Sequence, residues 1–89
     1  MKTIEVTVKD PAGLHARPAG SLVRQARKYE SRITLHRGEN SVDASRLMAI
    51  MGLGIKAGET FCVTVDGPDE EYAAKELSEF FADMGAQHD

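Results

Sequence analysis

Apolar residues recur at every second position near the start of the chain and then switch to helical spacing. This change of period restricts the fold to a mixture of strands and helices. Ile4, Val6 and Val8 alternate with polar residues, which predicts a strand with one buried face. Residues 10–13 end that strand, and from Ala16 onward the apolar positions follow helical spacing. The apolar stripe of this first helix consists of Ala19, Leu22, Val23, Ala26 and Tyr29.

The rest of the chain repeats both periods and predicts three further strands and two further helices. In order, these are a strand around Ile33 and Leu35, a tight turn at residues 37–40, a strand at 41–43, a helix at 44–54, a strand at 60–65 and a helix that starts at residues 66–71. The last helix has its apolar stripe at Ala73, Leu77, Phe80, Phe81 and Met84, with Gly85 as its predicted C-cap.

The predicted order β-α-β-β-α-β-α indicates one α+β domain. The 89 residues give enough apolar surface for one small core, so residues 1–89 are predicted to form a single domain. Helices of this length cannot bury their apolar stripes alone. We therefore expect them to cover one face of a four-stranded sheet whose other face meets solvent.

Charge and composition exclude several classes of function. The net charge of −3 argues against nucleic acid as the main partner. Basic residues collect between Arg17 and Arg32 and acidic residues between Asp66 and Asp83, so one end of the domain is suited to an acidic protein surface or a phosphate. The single cysteine, Cys62, excludes an intrachain disulfide and fits a reducing compartment.

The same composition predicts a cytoplasmic protein without metal. The three histidines and one cysteine do not have metal-ligand spacing, so no metal site is expected. No run of about eighteen apolar residues is present, so we expect no insertion into a membrane.

A histidine stands where the first loop meets the first helix. His15 falls at or next to the helix N-cap, and Pro18 lies in the first turn, where its missing N–H costs no hydrogen bond. The first turn presents unpaired N–H groups and the positive end of the helix dipole, which disfavours an imidazolium and leaves a ring nitrogen free for attack. A phosphoryl group on that nitrogen would meet the backbone amides of Ala16 and Arg17, and the Arg17 side chain could reach its oxygens.

The residues alone leave two interpretations of His15 open. It is either a solvated loop histidine beside an ordinary solvated arginine, or the acceptor of a transferable anion. No carboxylate lies close in sequence to orient the imidazole, and no serine or cysteine precedes it in a nucleophile motif, which argues against a hydrolase. Gly13 is expected to allow close approach of a partner's group.

Two motifs give the chain a family resemblance. GLHARPAG at residues 13–20 and SRLMAIMGLGIKAG at residues 45–58 resemble HPr, the histidine-containing phosphocarrier family of the bacterial phosphoenolpyruvate:sugar phosphotransferase system. The resemblance extends over essentially the whole chain. It implies an open-faced β-sandwich, in which a four-stranded antiparallel sheet in the order 1-4-2-3 carries three helices on one face.

The resemblance also implies a reaction and its partners. His15 would accept a phosphoryl group on Nδ1 from phospho-Enzyme I and pass it to a histidine of enzyme IIA domains of sugar permeases, with Arg17 assisting. Such a protein is a stoichiometric carrier rather than a turnover enzyme, needs no cofactor, and is expected to be a monomer. An alternative within the resemblance is a paralogue in a nitrogen- or carbon-related regulatory branch, which acts by phosphorylation-dependent binding to regulatory proteins. A purely regulatory module without the active histidine is disfavoured by the presence of His15 with Arg17 and Pro18.

The second motif predicts a partner surface. Ile50, Leu53 and Ile55 are expected to pack on the sheet, which would leave other apolar side chains of this segment exposed. The alternative is that the whole segment is buried under a loop. With the implied docking role of both helices in the family, the predicted partner surface comprises Ala16, Ala19, Gly20, Arg24, Arg27, Leu47, Met48 and Met51.

The second motif also departs from part of the family. Many HPr proteins of low-GC Gram-positive bacteria carry a serine that a dedicated kinase phosphorylates at the start of this helix. The matching position here is Arg46, which cannot accept phosphate. Ser45, one residue earlier, is therefore a weak substitute acceptor, and its simpler predicted role is to cap the helix.

Overall fold

The computed structural model describes residues 1–84 and 87–88 of the chain. Within them, strands and helices follow one another as β1 (Lys2–Thr7), α1 (Ala16–Ala26), β2 (Arg32–Arg37), β3 (Asn40–Asp43), α2 (Leu47–Gly52), β4 (Thr60–Asp66), α3 (Glu70–Asp83) and β5 (Gln87–His88). The predicted C-cap of the last helix, Gly85, lies outside the described residues.

The strands form one antiparallel sheet in the order β3-β2-β4-β1-β5. The predicted order 1-4-2-3 of the four longer strands is therefore confirmed. The two-residue strand β5 pairs with Val6 and Thr7 of β1 and extends the sheet beyond the prediction. A strand of two residues is too short to show any hydrophobic period, which explains why the sequence pattern gives no sign of it.

The core lies between one face of the sheet and the helices. The alternating apolar residues of β1 and β4 are buried there, including Val6, Phe61 and Val65. Helix α1 contributes Leu22 to this core and helix α3 contributes Phe81. The rings of Phe81 and Phe61 pack edge to face with their centroids 6.0 Å apart. The side chains that alternate along the strands and those that recur at helical spacing along the helices therefore form a single core.

The second helix is shorter than predicted. Instead of residues 44–54, α2 covers only Leu47–Gly52. The residues before it form a turn in which the Asp43 carboxylate accepts the backbone N–H of Ser45 at 2.8 Å, while the Asp43 carbonyl accepts the N–H of Arg46 at 3.1 Å. An aspartate that captures the following amides favours a turn over a helix, so the helix begins only after this turn.

The last helix starts at a residue that also holds the preceding part of the chain. Asp69 is the N-cap of α3, and its carboxylate accepts hydrogen bonds from Glu30 and Ser31 in the turn before β2. The backbone N–H groups donate at 3.0 Å from Glu30 and 2.9 Å from Ser31, and the Ser31 hydroxyl donates as well. These bonds lower the pKa of Asp69 from its ordinary value of 3.8, with the Ser31 hydroxyl as the largest cause.

The face of the sheet away from the helices carries polar side chains. His36 lies on this face and is half-buried, with Nδ1 2.7 Å from the Ser41 hydroxyl and Nε2 2.9 Å from the Thr64 hydroxyl. Cys62 lies opposite His36 in the pairing of β2 with β4 and is also half-buried. In the described part of the chain, the helices are too short or too polar to cross a membrane.

Candidate functional site

The loop between β1 and α1 is closed by a turn at Asp10. The Asp10 carbonyl accepts the N–H of Gly13 at 2.8 Å, and its carboxylate Oδ1 accepts the N–H of Ala12, also at 2.8 Å. The N–H of Leu14 donates to the carbonyl of Ile55 at 3.0 Å, which ties the loop to the segment after α2. The residue that follows, His15, is thereby held at the start of α1.

Gly13 allows a close approach, but of a different kind from the one predicted. Its φ of +73° lies in the left-handed region, and a Cβ at this position would lie 2.7 Å from the Ile55 carbonyl oxygen and 2.9 Å from the Lys56 Cα. The expectation that the missing side chain admits a partner is therefore wrong. The space is filled by the backbone of the chain itself, and Gly13 serves to place the loop.

His15 is the N-cap of α1, as the sequence pattern predicts. Its backbone is extended and its carbonyl accepts the first intrahelical bond, from the N–H of Ala19 at 3.0 Å. Within residues 1–84, the His15 side chain makes no capping hydrogen bond, and 40% of it is exposed. The helix therefore begins with amides of Ala16 and Arg17 that have no intrahelical acceptor, directly after an accessible imidazole.

A carboxylate lies beside the imidazole, contrary to the expectation from the sequence. Asp10 Oδ2 is 3.4 Å from His15 Nε2, and 43% of the Asp10 side chain is exposed. The pKa of Asp10 lies below its ordinary value of 3.8, mainly because its carboxylate accepts the Ala12 amide and further because of His15. Residues 10–13 are typical of a turn in which an aspartate accepts a following amide, but the contact with His15 also requires the loop to be held by the bond from Leu14 to Ile55.

The imidazole borders an open depression between α1 and α3. Arg17 and Pro18 of α1 line one side, and Phe80 and Asp83 of α3 line the other. Arg17 is exposed and lies within this lining, so its guanidinium is available to an anion that reaches His15.

The second predicted surface is exposed, and the alternative of a fully buried segment is wrong. Met48 is 78% exposed, Met51 38% and Leu47 36%. On the other side of the same segment, the residues predicted to pack on the sheet are buried, namely Ile50, Leu53 and Ile55. The exposed apolar side chains form a patch on α2, here called the α2 patch (Leu47, Met48 and Met51).

Basic and small residues of α1 were predicted to complete this surface. Ala16, Arg24 and Arg27 are exposed and Gly20 is half-exposed. Arg24 donates to the Ser21 hydroxyl at 3.1 Å, and Arg27 donates to the Ser45 carbonyl at 2.9 Å, which joins α1 to the start of α2.

Ala19 does not belong to that surface. It is fully buried on the core side of α1 and has no exposed atom for a partner to contact. The helical period already placed Ala19 in the apolar stripe, so its assignment to the surface is corrected.

The proposed cap role of Ser45 is also wrong. The N-cap of α2 is Arg46, and the Ser45 hydroxyl donates instead to the Asp43 carboxylate at 2.7 Å. The pKa of Asp43 is lowered, first by the bond from the Ser45 amide and then by that from its hydroxyl. Because the hydroxyl is committed to a carboxylate in a turn, a phosphate on Ser45 would place its negative charge against Asp43.

A pair that the sequence pattern did not single out anchors the end of α2. Arg37, at the end of β2, donates to the Leu53 carbonyl at 2.9 Å and to the Glu59 carboxylate at 2.6 Å. Glu59 in turn accepts the Lys56 amide at 2.7 Å, and its pKa is lowered mainly by the Arg37 bond. This cluster connects the hairpin of β2 and β3 to the segment that follows α2.

Comparison with known proteins adds to this geometry. A family model described as "PTS HPr component phosphorylation site" matches residues 2–83. The chain is 39% identical over 85 residues to a phosphocarrier protein HPr of Lysinibacillus sphaericus, covering 96% of this chain and 97% of that protein.

Solved structures agree with the sequence comparison. The histidine-containing phosphocarrier protein of a mycoplasma superposes with a TM-score of 0.89 at 30% identity, covering 93% of this chain and 94% of that one. HPr-C-His of Thermoanaerobacter tengcongensis superposes with a TM-score of 0.86 at 36% identity, covering 92% of each chain.

Proposed function

The chain belongs to the HPr family of the phosphotransferase system, and on that premise we propose that it carries phosphoryl groups between proteins, with His15 as the acceptor. The observation that carries this proposal is the position of His15. An exposed imidazole stands at the N-cap of α1, immediately before two main-chain amides that lack intrahelical acceptors. A dianion bound to that ring meets hydrogen-bond donors and the positive end of the helix dipole.

The proposed transfer moves one phosphoryl group between two imidazole rings. The lone pair of His15 Nδ1 attacks phosphorus on the phosphohistidine of Enzyme I. A new P–N bond forms on His15 while the P–N bond on the donor breaks, and that electron pair returns to the donor ring. The same exchange, now with His15 as the donor, passes the phosphoryl group on to a histidine of an enzyme IIA domain. No cofactor enters this balance, since the phosphoryl group comes from one protein and leaves to another.

Arg17 is proposed to stabilise the phosphoryl oxygens. It is exposed and lines the depression next to His15, and a guanidinium can form charge-assisted hydrogen bonds to phosphate. Its own backbone amide is one of the two donors that follow His15. Arg17 therefore contributes a side-chain cation and a main-chain donor to the same anion.

The surface around His15 is proposed to receive both partners. The α2 patch supplies apolar contact, and Arg24 and Arg27 supply positive charge near it on α1. Methionine side chains adapt to more than one partner shape, which suits a carrier that docks on a donor and on several acceptors. A basic rim around an apolar centre favours fast encounter with an acidic partner surface.

Labelled phosphoenolpyruvate and purified Enzyme I test the proposal directly. We expect acid-labile, base-stable label to reach one group per chain, to be absent from His15→Ala, and to appear much more slowly in Arg17→Ala. Onward transfer is read by loss of this label to an added enzyme IIA domain. Label that persists in His15→Ala contradicts the assignment of His15, and a wild-type chain that takes no label contradicts the carrier function.

A further inference from the structure

We propose that Asp10 is a positioning residue for His15. The Asp10 carboxylate accepts a hydrogen bond from Nε2–H of the imidazole and so leaves the free lone pair on Nδ1. This inference rests on the proposed function, because it concerns the nitrogen that would accept the phosphoryl group. The contact behind it is the 3.4 Å approach of Asp10 Oδ2 to His15 Nε2.

The carboxylate is held in place by its own loop. Asp10 Oδ1 accepts the Ala12 amide at 2.8 Å, and the Asp10 carbonyl accepts the Gly13 amide at 2.8 Å. One carboxylate oxygen is therefore committed to the turn, and the other is directed to the imidazole. The loop is fixed in turn by the bond from the Leu14 amide to the Ile55 carbonyl at 3.0 Å. Asp10 thus joins a rigid turn to a side chain that is otherwise partly exposed.

An ionised carboxylate can only accept hydrogen bonds, and this property selects the tautomer of the ring. The lowered pKa of Asp10, caused first by the Ala12 amide, agrees with a carboxylate at neutral pH. Its partner nitrogen, Nε2, must then carry the proton, and in a neutral ring the lone pair resides on Nδ1. The distance of 3.4 Å is long for such a bond, but bonds at reactive sites often tighten only in the reacting complex.

The same contact is compatible with both states of the carrier. When Nδ1 bears a phosphoryl group, Nε2 still has its hydrogen to donate, so Asp10 keeps its role. The negative charge of Asp10 acts on Nε2, the nitrogen that does not bear the phosphoryl group. The other charged residues that face the depression beside the ring are Arg17 and Asp83, and within the described part of the chain neither forms a hydrogen bond to the ring.

The positioning role and a purely structural role for Asp10 predict opposite results for the variant Asp10→Asn. In Asp10→Asn, the side-chain oxygen can still accept the Ala12 amide, so the turn is preserved. The amide nitrogen then faces His15 Nε2 and donates to it, which favours the tautomer protonated on Nδ1 and removes the nucleophilic lone pair. Asp10→Ala loses the turn contact but imposes no tautomer. Positioning therefore predicts that the isosteric variant is the slower acceptor, whereas a structural role predicts that it is the better one.

The experiment compares Asp10→Asn, Asp10→Ala and the wild-type chain, with Asp83→Asn as a control that removes a nearby charge to which we assign no role in transfer. Long-range proton–nitrogen NMR spectra of the unphosphorylated proteins report the protonated nitrogen of His15, and label transfer from phospho-Enzyme I gives the rate. Denaturant unfolding of each protein reports whether the turn is intact.

We expect Nε2–H in the wild-type and Asp83→Asn proteins and a shift towards Nδ1–H in Asp10→Asn. The transfer rate should fall about tenfold in Asp10→Ala, the scale of loss when the hydrogen-bond partner of a metal-ligating histidine is removed, and further in Asp10→Asn, although Asp10→Asn is the more stable of the two. An Asp10→Asn protein that keeps Nε2–H, or that accepts label at least as fast as Asp10→Ala, overturns the inference. Since the spectra need no donor protein, a wild-type chain that takes no label would defeat the proposed function and leave the tautomer result standing.

Discussion

The amide of Leu14 donates a hydrogen bond of 3.0 Å to the carbonyl oxygen of Ile55, and this bond joins the two motifs of the chain. Leu14 immediately precedes the candidate acceptor, and Ile55 follows the helix that carries the α2 patch. The reactive loop and the proposed docking surface are therefore parts of one rigid arrangement rather than two independent loops.

Gly13→Ala should disrupt this arrangement. The added Cβ would lie 2.7 Å from the Ile55 carbonyl oxygen and the residue would remain at a φ of +73°, so the loop must shift. We expect the free energy of unfolding to fall by about 1–3 kcal/mol and phosphorylation of His15 to slow, as measured by denaturant unfolding and label transfer.

Gly54→Ala is the matched control for this substitution. Gly54 has a similar φ of +63°, and among the described residues no atom lies within 4 Å of a Cβ built there. It should show only the cost of the left-handed conformation, about 1–2 kcal/mol. Equal destabilisation of both variants, with unchanged label transfer in Gly13→Ala, would contradict the role given to the close approach.

Gly20→Ala should stabilise the fold and weaken the binding of Enzyme I. The position is inside α1, and the nearest neighbour of an added Cβ is the Arg24 guanidinium at an ordinary contact distance of 3.7 Å. We expect the fold to be stabilised by about 0.5–1 kcal/mol. The affinity for Enzyme I should fall, because the methyl group projects into the predicted docking surface. A titration that finds unchanged affinity would remove Gly20 from that surface.

Met48→Asp tests the α2 patch. The side chain is 78% exposed, so the substitution should change the free energy of unfolding by less than about 0.5 kcal/mol. The KM of Enzyme I for this protein should rise, because a carboxylate replaces apolar contact within a surface proposed to meet acidic partners. Tyr72→Ser, which removes an exposed aromatic residue from α3, serves as the control and should leave that KM unchanged. The same rise in both variants would argue against a patch confined to α2.

Asp69→Asn should reduce the acid sensitivity of the fold. The folded-state pKa of Asp69 is below its ordinary value of 3.8, first because of the Ser31 hydroxyl. A carboxyl with a lowered pKa stabilises the folded state above that ordinary value, and the stabilisation is lost as the pH falls through the folded-state pKa. Denaturation midpoints measured at about pH 7 and about pH 3 should therefore differ less in Asp69→Asn than in the wild-type chain. Glu79→Gln, at an exposed position of α3, is the control, and an unchanged difference in Asp69→Asn would refute the prediction.

The four longer strands and the helices α1 and α3 could be predicted from the sequence because their apolar residues pack in one core. Phe61, Val63 and Val65 alternate along β4 and are buried together, as their period requires. The start of α2 could not be located in this way. It depends on a turn in which Asp43 accepts the amides of Ser45 and Arg46, and these bonds compete with the helix and leave no periodic signal.

The candidate site was only partly predictable for a related reason. His15 and Arg17 lie at a helix start that local pattern reveals. The contact of Asp10 with His15 depends instead on the conformation of the intervening turn, which is set by the left-handed Gly13 and by the distant Ile55 carbonyl. Non-local restraints of this type are not encoded in the spacing of residues along one segment.

The pairing of β1 with β4 determines the stage of synthesis at which the candidate site can form. All six residues of β1 pair with β4, whose residues leave the ribosome long after the GLHARPAG motif. A nascent chain that stops before Thr60 contains every reactive group but lacks β4, the strand that pairs with β1 and so positions those groups. The histidine should therefore gain its proper surroundings only after β4 has been synthesised, so that products that stop before β4 cannot take part in phosphoryl transfer.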